Sequence, residues 1–143
     1  MKFFQILLLL LVPFIFGCSP KTETQFVEGT VFLDNIPVSK ATVTFIPLIE
    51  GSGEVASGFS DENGKFTLSS QYGSGGKGTL VGEYLVTVSQ MEIKVIPSKT
   101  LNPDDSKTES KELLPPIYQD TKNSPLRIKI QQGKNLIRLD LKK

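Results

Sequence analysis

From Gln25 onward, apolar and polar side chains alternate along the chain with period two. Val27, Gly29, Val31 and Leu33 fall on one side of such a run, against Glu28, Thr30 and Phe32 on the other. Val43 and Phe45 alternate with Thr42 and Thr44, and Phe66 and Leu68 with Lys65, Thr67 and Ser69. Tyr84, Val86 and Val88 alternate with Glu83, Leu85, Thr87 and Ser89. Near the end, Leu126, Ile128 and Ile130 oppose Arg127, Lys129 and Gln131, and Ile137, Leu139 and Leu141 oppose Arg138 and Asp140. Successive side chains of a strand point to opposite faces, so the pattern predicts strands with one buried and one wet face. No amphipathic helical stripe competes with it.

The punctuation agrees. Asp34-Asn35, Asn63-Gly64 and Gly133-Lys134-Asn135 lie between strand-like runs and tolerate the left-handed backbone of tight reversals. About seven strands in a body of this size predict an all-β fold over residues 25–143, an antiparallel seven-stranded β-sandwich of immunoglobulin-like character. Two stretches break the rhythm. Residues 71–79 form a glycine-rich loop, and residues 97–112 (PSKTLNPDDSKTESKE) are polar and charged enough to predict a mobile excursion.

Before the alternation begins, the chain is of a different kind. Met1-Lys2 is followed by FFQILLLLLVPFIF, residues 3–16. That run is shorter than the roughly 20 residues a membrane-crossing helix needs, and it suits the apolar region of a secretory signal. Ile15-Phe16-Gly17-Cys18 comes next and holds the only cysteine of the chain. These four positions resemble the lipobox of bacterial lipoproteins: an aliphatic residue, a variable one, a small one, then cysteine. The resemblance implies a signal peptide over residues 1–17 and cleavage just before Cys18, whose thiol carries palmitate-type acyl chains. Several such chains, at about 0.8 kcal/mol per buried methylene, hold a protein firmly on a membrane. Residues 18–24 would form a lipidated tether in which Ser19 to Thr24 spans at most about 20 Å, keeping the body near the lipid of a bacterial cell envelope. Ser19 stands where an aspartate signals inner-membrane retention in some envelopes, which leans towards the outer membrane.

Composition narrows the chemistry. The chain has 143 residues and a formal charge of +1, and removing residues 1–17 takes away Lys2 and leaves the charges balanced. A balanced charge gives no electrostatic footprint for nucleic acid. Histidine is absent, which removes the commonest general base and metal ligand. A single cysteine excludes an intramolecular disulfide and a Cys-x-x-Cys zinc site.

The body also has a familiar look. Gly29-Thr30-Val31, Asp34-Asn35-Ile36-Pro37-Val38 and Ala41-Thr42-Val43 resemble the first half of a carboxypeptidase-regulatory-like domain. Ser60-Asp61-Glu62-Asn63-Gly64-Lys65-Phe66 resembles its central turn and strand, and Gly82-Glu83-Tyr84-Leu85-Val86-Thr87-Val88 is similar to its G-x-Y-x-V-x-V strand. Leu114-Pro115-Pro116-Ile117-Tyr118, Ser124-Pro125-Leu126 and Gly133-Lys134-Asn135 resemble the closing segment of small bacterial lipoproteins built on that domain. The resemblance implies a transthyretin-like sandwich that serves as an accessory or binding unit, without catalysis.

Candidate sites reduce to few. Tyr72 to Thr79 lacks the first glycine of a phosphate loop, since Gln71 stands there, and Gly78 replaces the hydroxyl residue after Lys77. Asp61-Glu62-Asn63-Gly64 lacks the closing glutamate of a calcium loop, because Tyr72 occupies its place. Asp104-Asp105 reads as a solvated pair. The hydroxyisourate hydrolases share the transthyretin-like fold but depend on histidines and a Tyr-Arg-Gly-Ser terminus, and this chain ends Leu141-Lys142-Lys143. The first strand has no lysine for the isopeptide bond of pilin-type sandwiches. The sequence therefore points to a non-enzymatic, lipid-anchored envelope module without metal or cofactor. Its contacts would be a sheet face, an exposed strand edge or the 97–112 loop, meeting an envelope protein. The alternative is a carbohydrate- or peptide-binding lipoprotein, with Tyr72 and Tyr118 as the stacking candidates for a glycan.

Overall fold

The structure is a computed structural model that describes residues 23–70, 76–97 and 107–143. Their regular structure is all β, eleven strands and one 3₁₀ turn (Pro116–Tyr118), with no α-helix among the described residues. In the first sheet β1 (Val27–Leu33) is central. One of its edges pairs with β11 (Asn135–Leu141). The other is shared by β5 (Lys65–Thr67), which covers Glu28 to Thr30, and β2 (Ile36–Pro37), which covers Phe32 and Leu33. The second sheet has the order β10 (Arg127–Ile130), β7 (Gly82–Ser89), β3 (Thr42–Pro47), β4 (Ala56–Phe59), β6 (Ser69–Ser70), and all its pairings are antiparallel. A separate ribbon joins β8 (Met91–Ile96) to β9 (Lys107–Glu112).

The two larger sheets share one core. Val27, Val31, Phe66, Leu139 and Leu141 of the first meet Val43, Phe45, Val86, Val88 and Ile130 of the second in a single buried cluster. Phe45 is the hinge of the packing. Its ring centroid lies 6.5 Å from Phe66 across the sheets and 5.9 Å from Tyr84 within its own sheet. Gly29 makes room for this arrangement, because a Cβ there would lie 2.5 Å from Phe66 Cζ and 2.8 Å from the Ile137 carbonyl.

The turns behave as their residues demand. Asp34 and Asn35 both take positive φ, 49° and 67°, and close β1 onto β2 as a two-residue type I′ reversal. At the next turn Asp61 Oδ1 accepts the N–H groups of Asn63 (2.8 Å) and Lys65 (2.9 Å), and Gly64 takes a φ of 74°. The Asp61 carboxylate serves the turn itself.

Three expectations need correction. The sheets are not purely antiparallel, since β1 and β11 run parallel from Val27↔Asn135 to Leu33↔Leu141. Alternation reports which face is buried and carries no strand direction; a parallel neighbour needs a long crossover, here the whole intervening body. Next, β7 buries Tyr84, Leu85 and Val86 in succession, so Leu85 departs from the wet side assigned to it. Finally, the 97–112 stretch is not all loop, because Lys107–Glu112 is a strand. Its partner β8 supplies the ladder that its polar composition does not advertise. Residues 98–106 lie outside the described residues.

Candidate functional site

The element that the core does not use is the ribbon. β7 ends at Ser89, and after Gln90 the chain continues at once into β8. Gln90 fastens the base. Its side-chain amide donates to the Ser39 carbonyl at 2.7 Å, and its carbonyl accepts the Leu113 N–H at 2.9 Å. Glu112 Oε1 accepts the N–H groups of Gln90 (2.7 Å) and Leu114 (3.3 Å). Beyond this clamp all residues of β8 and β9 are exposed except the half-buried Glu112, so the ribbon stands clear of the body.

The ribbon is two-faced. Met91, Ile93 and Val95 lie on one side, opposite Glu112, Ser110 and Thr108. On the other side Glu92 stands opposite Lys111 and Lys94 opposite Glu109, two pairs of unlike charge, with Ile96 opposite Lys107 beyond them. Met91, Ile93 and Val95 are 58%, 66% and 65% exposed, three successive same-side positions of one strand. This apolar row lies at the surface beside the polar Ser110 and Thr108, with the charged pairs on the opposite face. β8 and β9 pair only with each other among the described residues, leaving an open edge on either side.

The ribbon leaves the body at the end remote from the N-terminal entry. Gln25 exchanges backbone hydrogen bonds with Thr79, whose hydroxyl lies 3.1 Å from that of Tyr84 near the start of β7. The ribbon starts where β7 finishes, about 20 Å further along the strand direction.

Other polar groups are absorbed by the fold. Ser60 Oγ donates to the Val38 carbonyl (2.7 Å) and accepts the Ala41 N–H (2.9 Å). Ser124 Oγ donates to the Val86 carbonyl at 2.6 Å. Ser70 bonds the Glu54 carboxylate, beside the Tyr84 hydroxyl, which donates to the Leu80 carbonyl at 2.9 Å. Burial is the largest influence on that phenol and pushes its pKa above the ordinary value. On the outer face of the first sheet, Glu28 meets Lys65 at 3.6 Å, and Arg138 meets Asp140 at 2.9 Å while lying 4.1 Å from the centre of the Phe32 ring. Among the described residues no three metal-ligating side chains gather, and no helix is long and apolar enough to cross a membrane.

Of the residues singled out from the sequence, Ile15, Phe16, Gly17, Cys18 and Tyr72 lie outside the described residues. Tyr118 is placed, and not as a stacking platform. The 3₁₀ turn carries its ring into the core, where 7% of the residue remains exposed. The Lys142 N–H donates to its hydroxyl at 2.9 Å, and the hydroxyl faces the Lys142 carbonyl at 3.3 Å. Tyr118 ties down the C-terminal end of β11, leaving no ring face for a sugar. The ribbon itself escaped the sequence reading. The alternation Met91-Glu92-Ile93-Lys94-Val95 and the charge order Lys107, Glu109, Lys111 were the signals that mark it. Comparison of the chain with known families, with curated proteins and with solved structures finds no match.

Proposed function

We propose that this protein is a lipid-anchored, non-enzymatic module of a bacterial cell envelope, built on a carboxypeptidase-regulatory-like, transthyretin-like β-sandwich, and that it works by presenting the β8–β9 ribbon to a protein partner. One observation carries the reading: an exposed two-faced ribbon leaves the body at the end opposite the entry of the chain. A tether at Gln25 then puts the body between the membrane and the contact arm. The lipobox-like Ile15-Phe16-Gly17-Cys18 supports the anchor, since the one thiol of the chain falls where lipidation requires it.

The kinship of fold is supported by the strand count and the arrangement of turns. Outside the ribbon, seven strands have three or more residues: β1, β3, β4, β5, β7, β10 and β11. The positions that resemble the family take structural roles, with Gly29 under Phe66, Gly64 in its turn, and Phe66 and Tyr84 in the core. The non-enzymatic reading is supported by the described hydroxyls of Ser60, Thr79 and Ser124, which are engaged with backbone or with the buried Tyr84.

The test of the anchor is the intact mass of membrane-extracted protein, with tandem spectra of its N-terminal peptide. A chain that starts at Cys18 and carries acyl mass is the expected result. A chain that keeps Met1, or that is cut elsewhere and has a free thiol, overturns it.

A further inference from the structure

The charges of β8 are arranged so that the strand complements itself. In an antiparallel ladder hydrogen-bonded residue pairs alternate with non-bonded ones. The Leu113 N–H bond to the Gln90 carbonyl fixes the phase in the ribbon. Glu92, Lys94 and Ile96 therefore spend their backbone groups on β9, while those of Met91, Ile93 and Val95 point out along the open edge.

Two identical strands that pair antiparallel about a two-fold axis meet at one central residue. With Ile93 at the centre, Ile93 faces its own copy, Met91 faces the second copy's Val95, and Glu92 faces the second copy's Lys94. The apolar side of the ribbon then continues across the junction. On the charged side, Lys111 and Glu92 of one chain are followed by Lys94 and Glu109 of the other, an unbroken alternation of sign across four strands. Neighbouring registers do not share this property. Centring on Glu92 opposes two glutamates, and centring on Lys94 opposes two lysines, which is unfavourable directly across a ladder. Edge charges normally discourage pairing by repelling a like edge. Here the same charges select one register.

We propose that the partner of the ribbon is a second copy of this chain, joined through β8 to β8 about Ile93 into a four-stranded sheet. The two bodies leave from opposite ends of that sheet, so neither obstructs the other's edge. This names the partner of the ribbon contact proposed above and rests on that contact. It does not depend on the anchor, so a failed N-terminal mass test leaves it standing.

The test uses the full chain solubilised in detergent, where no membrane constrains either copy. A hydrogen-bonded antiparallel pair has Cα atoms about 5.5 Å apart, within the range of a disulfide. Oxidised Ile93→Cys should run as a covalent dimer on a non-reducing gel, above the level of the unaltered chain, whose sole thiol is Cys18, and above Leu136→Cys on β11. Glu92→Lys and Lys94→Glu, each alone, should weaken self-association about tenfold or more by sedimentation. Mixing the two should restore dimers, because each altered strand then meets its complement. A misfolded ribbon is not rescued by mixing. Monomers at every concentration, dimers indifferent to either charge change, or cross-linking of Ile93→Cys only to a different protein would each overturn the self-pairing.

Discussion

Single side chains decide how closely the two sheets can approach. Gly29 is the sharpest case, since the Phe66 ring and the Ile137 carbonyl occupy the place of a Cβ. Gly29→Ala should destabilise the fold by about 1–3 kcal/mol, the usual cost of overpacking, as read from urea unfolding at constant slope. Tyr84 sets an alkaline limit. Burial, opposed by the Thr79 hydrogen bond and reinforced by the nearby Glu54 charge, raises its pKa above the ordinary phenol value of 10.0. The folded chain thus holds the phenol proton more tightly than the unfolded one. The stability this contributes is complete below pH 10 and is lost as pH rises through the folded value. Melting temperature should therefore fall above about pH 10, with phenolate absorbance from Tyr84 appearing together with unfolding. A Tyr84 that titrates freely in the folded protein at its ordinary value contradicts this. Gly29 and Tyr84 were both legible as fold residues in the sequence. Tyr118 was not, because an aromatic ring after Pro115-Pro116 reads equally as platform or core until Lys142 is placed against its hydroxyl.

Among elements, the contrast is between strands that feed the core and the two that do not. β1, β3, β7 and β11 contribute buried side chains, whereas β8 and β9 contribute none. Replacing residues 91–112 by Asn-Gly should keep the Gln90-to-Leu113 closure as a tight hairpin and leave the melting temperature within a few degrees of the parent. A large loss would mean that the ribbon supports the body. The alternation over β8 marks a strand, but nothing local distinguishes apolar residues facing a core from apolar residues facing water. β9 escaped since Lys107 to Glu112 has the composition of a solvated loop. Its strand form depends on the charge order of a neighbour across an interval of chain.

At the scale of the molecule, the first and last strands close the fold on each other. β11 covers one whole edge of β1 and places Leu139 and Leu141 in the core. Ending the chain before Asn135 should remove both contributions at once and abolish cooperative unfolding, which circular dichroism and thermal melts would read. Survival of a sharp transition would show that the parallel closure is dispensable. The body also separates its two ends, with Gln25 bound beside Thr79 and the ribbon leaving beyond Ser89. Any partner of the ribbon is thereby met away from the point where the chain enters.

Local pattern suffices to show that the body is built of strands, which residues most of them bury and where the chain turns. Period-two patterning and the φ preferences of Asp34-Asn35 and Gly64 are local properties, readable within a few residues. Long-range packing is what makes β1 and β11 run parallel, turns Tyr118 inward, and leaves Met91, Ile93 and Val95 facing outward on the ribbon. Those outcomes depend on pairings between residues far apart in the chain. Each is settled by which distant surface is available to be covered, a quantity that no local pattern contains.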